Sequence, residues 1–100
     1  MSRFLLTNAA KADLKSIGRY TQETWGIEQR KLYLTLLDRS FHDLVVNPLM
    51  GKDCGDIRPG YRKLPVGKHL VFYRQKEPDL IEIVRVLHER MDSESHLTSG

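Results

Sequence analysis

The stretch from Gly67 to Asp92 restricts the possible folds more than any other part of the chain. It holds two dense apolar runs, His69-Leu70-Val71-Phe72-Tyr73-Arg74 and Leu80 through His88, with the polar, proline-containing Gln75-Lys76-Glu77-Pro78-Asp79 between them. β-Branched and aromatic residues dominate both runs, which predicts an antiparallel hairpin at the centre of a sheet. Strict alternation sends Ile81, Ile83 and Leu87 one way and Leu80, Val84 and Val86 the other. A strand apolar on both sides needs cover on both, and helices will take one of them. The occupant of the second side is the functional question.

The rest of the chain supplies the helices. Phe4-Leu5-Leu6 reads as a short strand ending at Thr7-Asn8, both good N-cap residues. A helix follows from about Ala9 to Trp25, with a stripe of Ala10, Leu14, Ile17, Thr21 and Trp25 and with Lys11, Lys15, Arg19 and Gln22 opposite. Gly26 closes it. A second helix runs from Ile27 or Glu28 to just before Pro48, its core stripe formed by Tyr33, Leu37, Phe41 and Leu44 with Leu34 alongside. So short a connection forces an antiparallel αα-hairpin. Leu32 and Leu36 lie off that stripe, either as a wide core face or as a docking surface. Asn47 to Gly60, with two prolines and three glycines, reads as a loop. Tyr61-Arg62-Lys63-Leu64-Pro65 is a strand, turned into the next by Val66-Gly67-Lys68. The class is α+β: strand, helix, helix, then a three-stranded antiparallel meander, the hairpin packed on one face of a small sheet.

Bulk properties exclude several classes. One hundred residues predict a single domain over 1–100, with one core. A net charge of +3 permits an acidic partner without demanding nucleic acid. The single Cys54 excludes an internal disulfide and suits a reducing compartment. The apolar run Phe4-Leu5-Leu6 is too short for a signal peptide and nothing reaches transmembrane length, so a cytoplasmic location is expected.

Catalytic patterns are sparse. His42, Cys54, His69, His88 and His96 show no metal-ligand spacing, so no metal or cofactor is expected. Metal-free ribonuclease chemistry would need a base, an acid and cations for the phosphorane. Arg62, His69, Tyr73, Arg74, Arg85, His88 and Arg90 lie on or just past the meander. Parity puts His69, Val71 and Tyr73 on one face but separates Arg85 from His88, and no acid–base pair is fixed by local spacing. No helix carries a one-sided basic stripe, which argues against direct, sequence-specific nucleic-acid binding.

Trp25-Gly26, Gly60-Tyr61-Arg62-Lys63-Leu64, Gly67 through Arg74, and Val84 through Asp92 resemble the ParE toxins, members of the RelE/ParE superfamily of bacterial toxin–antitoxin modules. The likeness runs from Phe4 to Leu97 in order and is most specific in Arg85-x-Leu87-His88-x-Arg90-Met91-Asp92. It implies the toxin component of a type II module, of the kind that serves plasmid maintenance. Such a toxin inhibits DNA gyrase, stalls it with DNA broken and blocks replication. It is not an enzyme, and a ParD-like antitoxin neutralises it in a hetero-oligomer.

The resemblance implies antitoxin contacts among Trp25, Leu32, Leu36, Tyr73 and Arg85. It implies gyrase contacts among Arg62, His69, His88, Arg90 and Met91, with Arg62, His69 and Arg90 offering cations near one end of the sheet. An antitoxin segment would then be the second cover, as a helix in a groove or an added strand. The alternative is a ribosome-dependent mRNA endonuclease of the RelE type. Those enzymes place a basic residue where this chain has His69, and the tail Glu89-Arg90-Met91-Asp92-Ser93-Glu94 is mixed rather than basic. A third possibility is a plain interaction domain with lost toxicity.

Overall fold

A computed structural model describes residues 3–91 and Leu97. The element order is β1 (Arg3–Leu6), α1 (Asn8–Trp25), α2 (Ile27–Val46), β2 (Lys52–Asp53), β3 (Tyr61–Val66), β4 (His69–Glu77) and β5 (Leu80–His88). The sheet order is β1-β5-β4-β3-β2. The meander β3–β4–β5 is antiparallel as expected, and β1 joins it parallel to β5, with Phe4 beside Ile81. The long excursion through the two helices is what lets β1 run parallel to β5.

Thr7 sets the entry to α1. Its hydroxyl accepts the Ala10 N–H at 3.0 Å and donates to the Val84 carbonyl at 2.7 Å, so one side chain caps the helix and ties it to β5. Gly26 alone separates the helices. It sits at φ +98°, where L side chains are strained, and its N–H returns to the Gln22 carbonyl. Residues 22–32 are exposed throughout, so the tip of the hairpin projects past the sheet. Trp25 goes with it, 70% exposed, which corrects its place in the expected core stripe.

The hairpin covers one face. Ala10, Ile17, Leu37, Phe41 and Leu44 pack onto Val66, Val71, Tyr73, Ile81, Ile83 and Val86. Each large side chain so buried contributes about 1.5–3 kcal/mol relative to exposure.

The second face is covered by the chain itself. Cys54, Phe72, Leu87 and Leu97 are buried together, with Ile57, Tyr61, Leu70 and Val84 against them. This overturns the expectation that a partner must supply that cover. Of the expected tail, Leu97 is anchored here, and Asp92 to His96 lie outside the described residues.

Two local details depart from the sequence pattern. Phe72 lies opposite Arg85 and Tyr73 opposite Ile83, so β5 carries an extra residue, a bulge at Val84-Arg85. Alternation breaks there. Ile81, Ile83 and Val86 share the helical face, whereas Val84 and Leu87 turn to the other. In the expected loop, Lys52 and Asp53 pair with Lys63 and Arg62 as a fifth, two-residue strand. Pro65 lies beyond the reach of β2, where β3 forms the sheet's edge.

Candidate functional site

Two places combine exposure with organised chemistry: one end of the meander, and a groove between the helices and β1. At the meander end, Val66 and His69 face each other across the two-residue turn Gly67-Lys68, and His69 faces His88 on β5. Tyr33 of α2 reaches over this corner. Its hydroxyl accepts the Lys68 N–H at 3.0 Å and meets His69 Nδ1 at 2.5 Å, nearer than the Val66 carbonyl at 3.4 Å. The Tyr33 hydroxyl thus bridges the Lys68 N–H and the His69 ring and holds the imidazole in place. The two imidazoles meet edge to face at 5.4 Å.

The electrostatics agree with a neutral His69. Burial lowers its pKa, and the neighbouring His88 lowers it further, against smaller opposing effects of Asp13 and Glu89. Burial raises the Tyr33 hydroxyl pKa. His88 accepts the Arg90 N–H at its Nδ1, at 3.1 Å, and Lys68 receives the Glu89 N–H at 2.9 Å. Thus His69, His88, Arg90 and Met91, all expected as target contacts, do gather at one end, with Arg90 and Met91 exposed.

Arg62 does not join them. It faces Tyr73, four residues along β3 from Val66, about 13 Å away at the usual strand rise. Its guanidinium donates to the Gly51 carbonyl at 2.8 Å. Tyr73 belongs to the same internal lock and is withdrawn as an antitoxin contact. It is 1% exposed, and its hydroxyl accepts the Gly51 N–H at 2.8 Å and donates to the Pro48 carbonyl at 2.7 Å. Gly51 is required there, since a Cβ would come within 2.6 Å of the tyrosine ring. Arg85 is likewise engaged: it forms a two-pronged pair with Asp13 of α1 at 2.8 Å, and Asp13 also takes the Val86 N–H at 2.9 Å. That carboxylate holds the bulge against the helix. Cys54 is buried, and burial pushes its thiol pKa up, the opposite of an activated nucleophile.

The groove has a volume of about 310 Å³ and is lined by Phe4, Leu6, Leu14, Leu34 and Phe41, with Lys15, Arg30 and Asp38 at its rim. It runs beside β1, whose outer edge has no strand partner. Arg3 and Thr7 direct their N–H groups inward to β5, at Asp79 and Ile83, so alternation turns those of Phe4 and Leu6 outward. Sequence reasoning missed this groove because its walls come from three elements whose apolar residues all read as core. Leu32 and Leu36 are 65% and 46% exposed, but they do not line it. Each is two residues from Leu34 on α2, about 200° around the helix at about 100° per residue.

Known proteins match this chain along nearly its whole length. The family described as ParE toxin of type II toxin-antitoxin system, parDE, matches residues 4–93. Toxin ParE1 of Mycobacterium tuberculosis is 45% identical over 96 residues, 96% of this chain and 98% of that protein. Toxin ParE1 of Caulobacter vibrioides is 38% identical over 97% of this chain and 99% of its own length. Toxin ParE of Escherichia coli is 34% identical over 92% and 89%. A solved structure described as a chromosomal ParDE TA system from P. aeruginosa superposes with a TM-score of 0.74, at 21% identity, covering 88% of this chain and 96% of that one. At that identity the superposition speaks for the fold, which it shares: two helices against a five-stranded sheet. By the family match and three relatives above 30% identity, the chain belongs to the ParE toxin family of type II toxin–antitoxin systems.

Proposed function

We propose that this ParE-family chain inhibits DNA gyrase in the cytoplasm, blocking replication, and that a ParD-like antitoxin neutralises it in a hetero-oligomer. The observation that carries the antitoxin half is the groove beside β1. An apolar trough flanked by an unpaired strand edge suits a segment that lays apolar side chains into the trough and backbone along the edge. Trp25, Leu32 and Leu36 form a separate exposed surface, available to a partner that wraps the hairpin.

The gyrase half rests on family membership and on the corner of His69, His88, Arg90 and Met91. His69 and His88 each commit Nδ1 to an internal bond, which fixes both rings within this corner. No helix is long and apolar enough to cross a membrane among the described residues.

A supercoiling and DNA-cleavage assay with purified gyrase tests this reading. The expected result is loss of supercoiling with broken DNA accumulating, weakened by Arg90→Ala and retained in His69→Gln. Cleavage of mRNA on translating ribosomes, abolished in His69→Gln, would replace gyrase inhibition with the endonuclease activity of RelE-type relatives.

A further inference from the structure

The face opposite the helices carries an unusual charge arrangement. Lys52 on β2 lies directly across from Lys63 on β3. Directly opposed like charges destabilise a sheet, and neither lysine has a carboxylate within 4.0 Å among the described residues. Lys63 faces Phe72 in the next strand, which places the pair on the side of Cys54 and Leu87. On that side Arg58 holds its guanidinium over the Tyr61 ring at 5.7 Å, its NH1 bonded to the Leu97 carbonyl at 2.8 Å. Arg74 and Lys76 share the single Glu82, at 2.7 and 3.8 Å. The adjoining loop brings two acids, neither in a salt bridge with these lysines. Asp53 pairs across from Arg62 and accepts the Gly55 N–H, and Asp56 lies exposed within the loop.

Among the described residues, Lys52, Lys63, Arg58, Arg74 and Lys76 thus gather on this side, with Glu82 already engaged. Two like charges held opposite each other across neighbouring strands are relieved by an anion between them. Among the described elements this face is made of strands, with no long helix to enter a groove and read base edges. We propose that it holds the sugar–phosphate backbone of duplex DNA irrespective of sequence, with Lys52 and Lys63 on neighbouring phosphates and Arg58 beside them. The choice of duplex DNA rests on the gyrase reading, since that enzyme works on duplex DNA; the phosphate site itself rests on the geometry.

Fluorescence anisotropy with a labelled duplex of mixed sequence, across about 50 to 200 mM salt, tests it. Three phosphate contacts give a slope of log K against log salt near about −2.7, at about −0.9 per contact. The double variant Lys52→Gln/Lys63→Gln should bind at least tenfold more weakly at the low-salt end and reduce the slope by about 1.8. Its melting temperature should hold or rise, because the opposed charges are gone. Lys52→Arg/Lys63→Arg should bind like the wild type.

An unchanged slope in the glutamine variant would overturn the proposal, and so would tighter binding of single-stranded RNA than of duplex DNA. Supercoiling inhibition measured in parallel separates the two readings. A wild type that inhibits gyrase yet binds no DNA overturns this inference alone. One that binds DNA through these lysines without inhibiting gyrase upholds the phosphate site and overturns the gyrase reading.

Discussion

The two faces of the sheet are covered by different means. On one side two helices of 18 and 20 residues lay a continuous stripe across β3, β4 and β5. On the other, a loop around Cys54 and Ile57 and one residue near the C-terminus, Leu97, cover Phe72 and Leu87. The helical cover is regular and leaves a groove at the β1 margin. Among the described residues the loop cover is small, and charged side chains take the rest of that face. Long amphipathic elements bury one face and present a shaped apolar margin to a partner. Short irregular cover leaves the strands themselves as the outer surface, and their outward residues set its charge.

Substitutions in each cover can break this contrast. The largest effect is expected on the helical side. Phe41 is 2% exposed, and Phe41→Ala should cost about 3–5 kcal/mol, a large part of a typical domain stability of about 5–15 kcal/mol. A denaturant titration should show the midpoint falling steeply. On the loop side, Leu97→Ala should cost about 2–3 kcal/mol, the low end for a buried leucine, since the thin cover can collapse onto the space. Equal losses at the two sites would show the covers to be equivalent.

Between these lies the lock where Tyr73 meets the Pro48–Gly51 segment. Tyr73→Phe leaves the Gly51 N–H without its acceptor and should cost about 1–2 kcal/mol by thermal melting. Gly51→Ala at the same place should be worse, because a methyl group would collide with the ring.

The smallest effect concerns pH. His69 has a folded pKa below its unfolded value, so the folded chain binds fewer protons there. Its contribution to stability is present above the ordinary histidine pKa of about 6.5 and is lost as pH falls below it toward the lowered folded value. Melting temperature should therefore drop on acidification through that window, and His69→Gln should flatten that part of the curve.

Much of this was legible in the residues. Thr7 and Gly26 marked the helix ends, because caps depend on local chemistry. The meander followed from two β-rich runs and a polar interval. What escaped depends on contacts distant in sequence. Lys52-Asp53 is a strand only because β3 lies beside it, and two residues carry no periodicity. The bulge at Val84-Arg85, held by Asp13 some 70 positions earlier, reversed the facing of Val86 and Leu87. Tyr73, expected as an antitoxin contact, is instead locked inside by the Pro48–Gly51 segment, a contact that strand periodicity does not show. For the candidate site, His69 and Arg90 lie near one end of the sheet together with His88 and Met91, while Arg62 fell at the far end of β3 because adjacency in a hairpin depends on register.

In the function proposed above, the surface that meets gyrase and the groove that takes the antitoxin are separate. Gyrase supercoiling, measured with and without the cognate antitoxin, tests it directly in the wild type and in Leu34→Gln, with melting recorded to confirm that the variant folds. Both proteins should inhibit gyrase; antitoxin should restore supercoiling fully against the wild type and at least tenfold less effectively against Leu34→Gln, whose side chain lines the groove. Gyrase left fully active by both folded proteins, or antitoxin rescuing both equally, would contradict the account.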